Sequence, residues 1–336
     1  MRRALRVLLA LAGVLLAAGG AAGLYAWRAA TAPGPHGAER VVLVPRGAGT
    51  PAVAEALARA GVVADGRLFA AAALLTRHEG ALRAGEFLVP ARASPREVLT
   101  LLRTGRPVQR RLTVPEGLTA RQIAALLAGA DGLAGEVPDL AEGGFLPDTY
   151  LYERGDARAA VARRAARAME AALAEAWAAR APDLPLASPR EALILASVVE
   201  RETGEAEERA RVAGVFANRL RRGMPLQSDP TVTYAATDGA ATDRPPTRPE
   251  LDRDHPFNTY RNRGLPPGPI GAPGRAALAA ATRPERHDYL YFVADGAGGH
   301  AFARTLEEHN RNVARWRALR AAPAAQAPAP AATPPR

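Results

Sequence analysis

Two glutamates, Glu200 and Glu202, close an apolar stretch that runs through Ala192, Leu193, Ile194, Leu195, Val198 and Val199. Ser188-Pro189-Arg190-Glu191 in front of it has the form of a capping box, so the stretch is expected to be a buried helix ending near Gly204. Glu202 falls in its last turn. There the negative end of the helix dipole and partial loss of solvent both favour the protonated carboxyl. A carboxyl with a raised pKa suits general acid work near neutral pH. Glu200 is the local rival, and at 100° per residue the two lie about 200° apart, so they cannot share a face. Position alone does not separate catalysis from the commoner case of a solvated glutamate at a helix end.

Residues further along the chain bear on the choice. Asn218, Gln227, Ser228, Asp229, Thr231 and Tyr234 crowd one short region. Neutral hydrogen-bonding groups suit sugar hydroxyls and N-acetyl groups, and tyrosine faces suit sugar rings. A polysaccharide cleft and an ordinary polar loop both fit that composition. Asp148 and Asp229 are the candidates for a second carboxylate, which an ordinary glycoside hydrolase requires; as turn residues they read as structural. His255, His287, His300 and His309 include no pair at the close helical spacing of a common zinc site, so neither a metal nor a cofactor is expected.

The elements that must position these residues form an α+β pattern. Val41–Val44 is a short β-branched run; a helix runs from Thr50-Pro51 to Gly61, a second over Arg67–Arg77, and a returning strand lies at Phe87–Val89, giving a βααβ order. Ser94-Pro95-Arg96-Glu97 caps a helix ending near Gly105. A strand over Val108–Val114, a Thr119-capped helix, a long Ala/Arg helix near 156–180 and a helix over Glu207–Arg222 come next. Residues 223–275 read as loop-rich, with Pro266-Pro267-Gly268-Pro269 unable to form a regular element, Tyr289–Ala294 as a strand and His309–Arg320 as a final helix.

Val7–Trp27 carries no charge, and about 21 residues at ~1.5 Å rise span the ~30 Å of a bilayer core. Arg2, Arg3 and Arg6 precede it and Arg28 alone comes closely after it, so the positive-inside rule places the amino terminus in the cytoplasm and the remainder outside. An uncleaved anchor is favoured over a cleaved signal peptide because the apolar run is longer than a signal core. The net charge of +10 is carried by arginines scattered among acids, which gives no basis for nucleic-acid binding. The absence of cysteine excludes disulfides and thiolate metal sites. The expected organisation is a tail (1–6), a transmembrane helix (7–27), a linker (28–39), a small βααβ domain (40–106), a mixed α+β domain (107–320) and a disordered Ala/Pro tail (321–336).

An ordered series of segments carries a resemblance: Phe145-Leu146-Pro147-Asp148-Thr149-Tyr150, Ala196-Ser197-Val198-Val199-Glu200-Arg201-Glu202-Thr203, Gly214-Val215-Phe216-Ala217-Asn218-Arg219-Leu220, and Leu226-Gln227-Ser228-Asp229-Pro230-Thr231-Val232. Asn258-Thr259-Tyr260, Gly264-Leu265-Pro266-Pro267-Gly268-Pro269-Ile270, Tyr289-Leu290-Tyr291-Phe292-Val293-Ala294-Asp295, Gly298-Gly299-His300-Ala301-Phe302 and His309-Asn310 continue it. The chain thereby resembles the endolytic murein transglycosylases of the MltG (YceG-like) family. Phe257 and Ala272 depart from the family pattern, which often has tyrosine and asparagine there.

The resemblance implies a LysM-like character for the βααβ domain and a catalytic role for the second domain. It maps the active-site glutamate to Glu202, with Thr203 next to it and Glu200 as second choice, and it adds Asn258, Tyr260 and His300 to the substrate-binding candidates. The implied enzyme is a lytic transglycosylase that cuts the MurNAc–GlcNAc bond of nascent peptidoglycan strands and leaves a 1,6-anhydroMurNAc end. The implied location is the cytoplasmic membrane, with penicillin-binding proteins as partners. A true muramidase and a noncatalytic glycan-binding scaffold are the competing readings.

Overall fold

The computed structural model describes residues 2–242 and 244–321. Of the expected tail at 321–336, Ala321 ends the last helix and residues 322–336 lie outside the described ones. In chain order the elements are helix α1 (Arg2–Thr31), strand β1 (Arg40–Val44), α2 (Thr50–Arg59), α3 (Gly66–Leu75), β2 (Gly85–Val89), α4 (Pro95–Thr104), β3 (Arg110–Thr113), α5 (Ala120–Gly129), β4 (Thr149–Tyr152) and α6 (Arg158–Ala178). Then come α7 (Pro189–Glu202), α8 (Arg209–Arg221), α9 (Asp229–Thr237), α10 (Arg248–Asp252), α11 (Arg275–Thr282), β5 (Tyr291–Ala294), β6 (His300–Ala303) and α12 (Leu306–Ala321). The fold class is mixed α+β.

By packing, the chain divides into two units: residues 1–111 with 131–134 and 151–157, and residues 112–130, 135–150 and 158–336. In the first, α1 contains the stretch Leu5–Thr31, which is long and apolar enough to cross a membrane, with mean hydropathy 2.2. The βααβ order is realised by β1, α2, α3 and β2, the strands pairing antiparallel from Arg40 opposite Val89 to Val44 opposite Gly85. Alternation along β1 sends Val42 and Val44 into a core with Leu57, Phe69, Phe87 and Leu102, and leaves Val41 and Leu43 outside. Ser94 and Glu97 close the expected capping box at α4. The returning stretches bring Arg154 back to Glu86, which Arg110 also pairs.

The second unit is held by α6, α7, α8 and α11 around a core that includes Leu195, Val198, Val199, Phe216, Ile270 and Leu278. Ser188 caps α7 by accepting the Glu191 N–H, but the Glu191 carboxylate turns to the N–H of Ala187, so only half of the expected box forms. β5 and β6 pair antiparallel. Within the loop-rich stretch 223–275, α9 and α10 are two short helices. Proline stands in the first turn of each, where its missing N–H breaks no helical hydrogen bond. Similarly, α11 begins directly after Gly274 on a run of alanines, whose helix propensity the preceding Pro/Gly-rich segment obscured.

Candidate functional site

Helix α7 carries a nearly continuous buried face, and its last residue is Glu202. Glu202 emerges half-buried from the core. Ser228 Oγ donates to its Oε2 at 2.7 Å. Burial pushes the Glu202 carboxyl up to about 7; the neighbouring charge of Asp229 adds to this, while Ser228 and Arg219 pull the other way.

Ser228 is the residue before α9, a position whose side chain commonly caps the helix. Here it makes no cap and is free to serve Glu202 instead. Its main chain is fixed by two buried threonines. The Ser228 N–H donates to Thr259 Oγ1 at 3.0 Å, Thr231 Oγ1 donates to the Ser228 carbonyl at 2.7 Å, and the two threonine hydroxyls lie 2.9 Å apart. Gln227 before it is held in the left-handed region at φ 51, with its N–H on the Thr259 carbonyl. Asp229 is exposed and accepts the Tyr260 hydroxyl at 2.6 Å. Burial and then this contact push the Tyr260 phenol above its ordinary range. Asn258 is buried; its amide donates to the carbonyls of Leu251 and Arg253, and its Oδ1 accepts the Tyr260 N–H, which shapes the turn that delivers Tyr260.

Glu200 leaves α7 on the other side. Its side chain is 5% exposed, accepts the Gly274 N–H at 2.8 Å and meets Arg209 at 3.4 Å. Arg209 also lies 3.8 Å from Glu116. Burial raises the Glu200 carboxyl too, against the Gly274 hydrogen bond.

The structure thus gathers Glu202, Ser228, Asp229, Thr231, Asn258, Tyr260 and Gln227 into one hydrogen-bonded neighbourhood. The other three candidates hold partners elsewhere. Asn218 donates to the carbonyls of His287 and Tyr289. Tyr234 donates to Glu142 and packs on Phe257. His300 Nδ1 meets Glu208 at 2.6 Å. Asp148 is exposed and accepts the N–H of Thr149 next to it. Among the described residues no group of three or more His, Asp or Glu converges to hold a metal ion.

Two residues that are not singled out by residue type and spacing complete the site. Thr259 holds Ser228, and buried Arg219 donates to Gln227 Oε1 and the Leu226 carbonyl. A signal for Arg219 existed: it continues the Val212, Phe216 apolar face of α8 at helical spacing, an unusual place for an arginine.

Fold and site together define a mixed α+β protein built around one half-buried glutamate with raised proton affinity, anchored at the end of a buried helix. Residues 42–315 match the model of the YceG-like family, and the chain belongs to that family. It is 48% identical over 119 residues to an endolytic murein transglycosylase of Bacillus subtilis, covering 35% of this chain and 32% of that protein. It is 30% identical over 323 residues to the endolytic murein transglycosylase of Streptococcus pneumoniae strain R6, covering 81% of this chain and 57% of that protein. The chain therefore spans about a third and just over half of the lengths of these relatives. A crystal structure of a yceG-like protein from Listeria monocytogenes superposes with TM-score 0.50 at 27% identity, covering 81% of this chain and 98% of that one.

Proposed function

We propose that the chain is a membrane-anchored endolytic transglycosylase that cuts peptidoglycan strands without water, with Glu202 acting first as acid and then as base. The observation that carries this reading is the Glu202 carboxyl, half-buried, oriented by Ser228 and raised to about 7. Such a group gives and takes a proton with comparable ease near neutral pH. The relatives named as endolytic murein transglycosylases support the substrate class.

In the reaction, protonated Glu202 gives its proton to the glycosidic oxygen between MurNAc and GlcNAc as the C1–O bond breaks through an oxocarbenium-like state. The resulting carboxylate takes the proton of the muramic C6 hydroxyl as O6 bonds to C1. The products are a 1,6-anhydroMurNAc end and a free 4-hydroxyl on GlcNAc. One carboxyl suffices because the nucleophile is tethered to the substrate. Gln227, Asp229 and Tyr260 stand at accessible or half-buried positions beside Glu202 and take the role of substrate contacts. Buried Ser228, Thr231 and Asn258 hold the frame, and Asn218, Tyr234 and His300 act through their protein partners.

A true muramidase is the second reading, and the charge of Asp229 acting on Glu202 is the observation behind it. In either case α1 serves as the anchor, with the arginines at its amino-terminal end on the cytoplasmic side, and the βααβ unit takes a LysM-like role towards glycan. Cutting nascent strands beside the membrane would end their elongation and places penicillin-binding proteins among the partners.

The test uses the full chain in detergent, unmutated and as Glu202→Gln, on uncrosslinked glycan strands, with new ends determined by mass spectrometry. Anhydromuramyl ends made only by the unmutated protein support the transglycosylase. Reducing ends mean a hydrolase, and strands that are bound but never cut mean a scaffold.

A further inference from the structure

Arg219 is 6% exposed on the inner face of α8. Its hydrogen bonds go to neutral acceptors: Nε to the Leu290 carbonyl at 2.6 Å, and Nη1 to the Pro225 carbonyl at 3.2 Å, the Leu226 carbonyl at 2.9 Å and Gln227 Oε1 at 3.1 Å. The ring of Tyr291 lies under the guanidinium at 5.1 Å. A buried cation is costly unless hydrogen bonds and nearby negative potential compensate it. Among the described residues Arg219 has no carboxylate within ion-pair distance, and the carboxyl whose charge bears on it is Glu202, each favouring the charged form of the other.

Two effects therefore converge on Glu202. The fork ties 225–227, the residues just before Ser228, to Leu290 at the approach to β5. Gln227 needs that support because its φ of 51 is unfavourable for a side-chain-bearing residue. Ser228, next in the chain, then meets Glu202. The unpaired charge also acts through a partly desolvated medium, where screening by water is weak.

We propose that Arg219 is the positioning residue of this site, holding the 225–227 segment so that Ser228 reaches Glu202, and supplying the positive charge that stabilises the Glu202 carboxylate left when its proton is given up in the first half of the reaction. The kinetic half of this proposal rests on the transglycosylase reading; the electrostatic half does not.

The full chain in detergent, with glutamate carboxyls labelled with carbon-13, is titrated by NMR, the Glu202 signal being the one lost in Glu202→Gln. In Arg219→Met the Glu202 midpoint rises by about one pH unit, the usual scale for losing an opposite charge nearby. In Arg219→Lys, which keeps the charge and loses the fork, the midpoint moves by less than about half of that. On glycan strands Arg219→Lys lowers kcat about tenfold with KM nearly unchanged, as expected for lost orientation at the reacting group. An unmoved Glu202 midpoint in folded Arg219→Met, or unmutated kcat in Arg219→Lys, overturns the proposal. If Arg219→Met does not fold, Arg219→Lys decides alone through its kcat. Failure of the transglycosylase reading shows separately, as no cleavage by the unmutated chain or full cleavage by Glu202→Gln, and leaves the titration to decide on Arg219.

Discussion

The two sides of the α7 terminus differ in what they leave available. On one side Glu200 is enclosed: it accepts the N–H that opens α11, meets Arg209 and shares that arginine with Glu116. Its oxygens are committed to holding three segments together. On the other side Glu202 accepts from Ser228, its one hydrogen bond among the described residues, and exposed Asp229 and half-buried Tyr260 lie near it. Burial raises both carboxyls. Raised proton affinity alone therefore does not mark an acid catalyst. What distinguishes Glu202 is a raised carboxyl with an oxygen still free to meet a substrate.

The largest expected effect separates the two directly. Glu202→Gln lowers strand cleavage by about 10²- to 10⁴-fold, the usual contribution of a positioned acid–base group, whereas Glu200→Gln stays within a few-fold; counting anhydromuramyl ends over time measures both. The reverse pattern would exchange their roles.

Next in size is the structural cost on the enclosed side. Glu200→Ala strips the Gly274 N–H and Arg209 of a partner and lowers unfolding stability by about 2–3 kcal/mol, seen in urea titrations of the detergent-solubilised chain. No loss of stability would mean that this side does not clasp the segments together.

A third prediction sets the pH behaviour of the open side. The folded protein keeps the Glu202 proton up to about pH 7, while the unfolded chain releases it near the ordinary 4.5. The folded state thus binds more protons in that window, and stability falls as pH rises through it, by about 2 kcal/mol after allowing for partial exposure. Glu202→Gln has no proton to release, so its Tm relative to the unmutated chain rises between pH 5 and pH 8. A constant difference across that range would count against the raised carboxyl.

The smallest effect is expected from Ser228→Ala. It removes the Ser228 donor on Glu202 and lowers kcat about tenfold, with the high-pH limb of the rate profile moving upward because Ser228 favours the ionised form. A change confined to KM would assign Ser228 to substrate binding instead.

Much of the path to this site is written in the chain. The capped start of α7, its apolar face and its end before Gly204 come from local rules, because capping groups and helical periodicity act within a few residues of one another. The antiparallel strands bracketing α2 and α3 and the apolar run of α1 are legible for the same reason. The motif series supplied the family and, within it, the choice of Glu202 over Glu200, which geometry on the helix could not make. The helices α9 and α11 were hidden because proline and glycine around them are strong breakers in isolation, and only packing decides where such residues are tolerated.

What the tertiary structure alone decided is partnership. Gly274 and Arg209 reach Glu200 over separations of 74 and 9 residues, and Ser228 reaches Glu202 over 26. Asn218, Tyr234 and His300 look alike in sequence to the residues around Glu202, yet they spend their polar atoms on His287, Glu142 and Glu208. Residue types and spacing determined which groups were capable of acid–base and sugar-binding chemistry. Which carboxyl was left with a free oxygen depended on contacts between segments distant in the chain, and no local pattern encodes those.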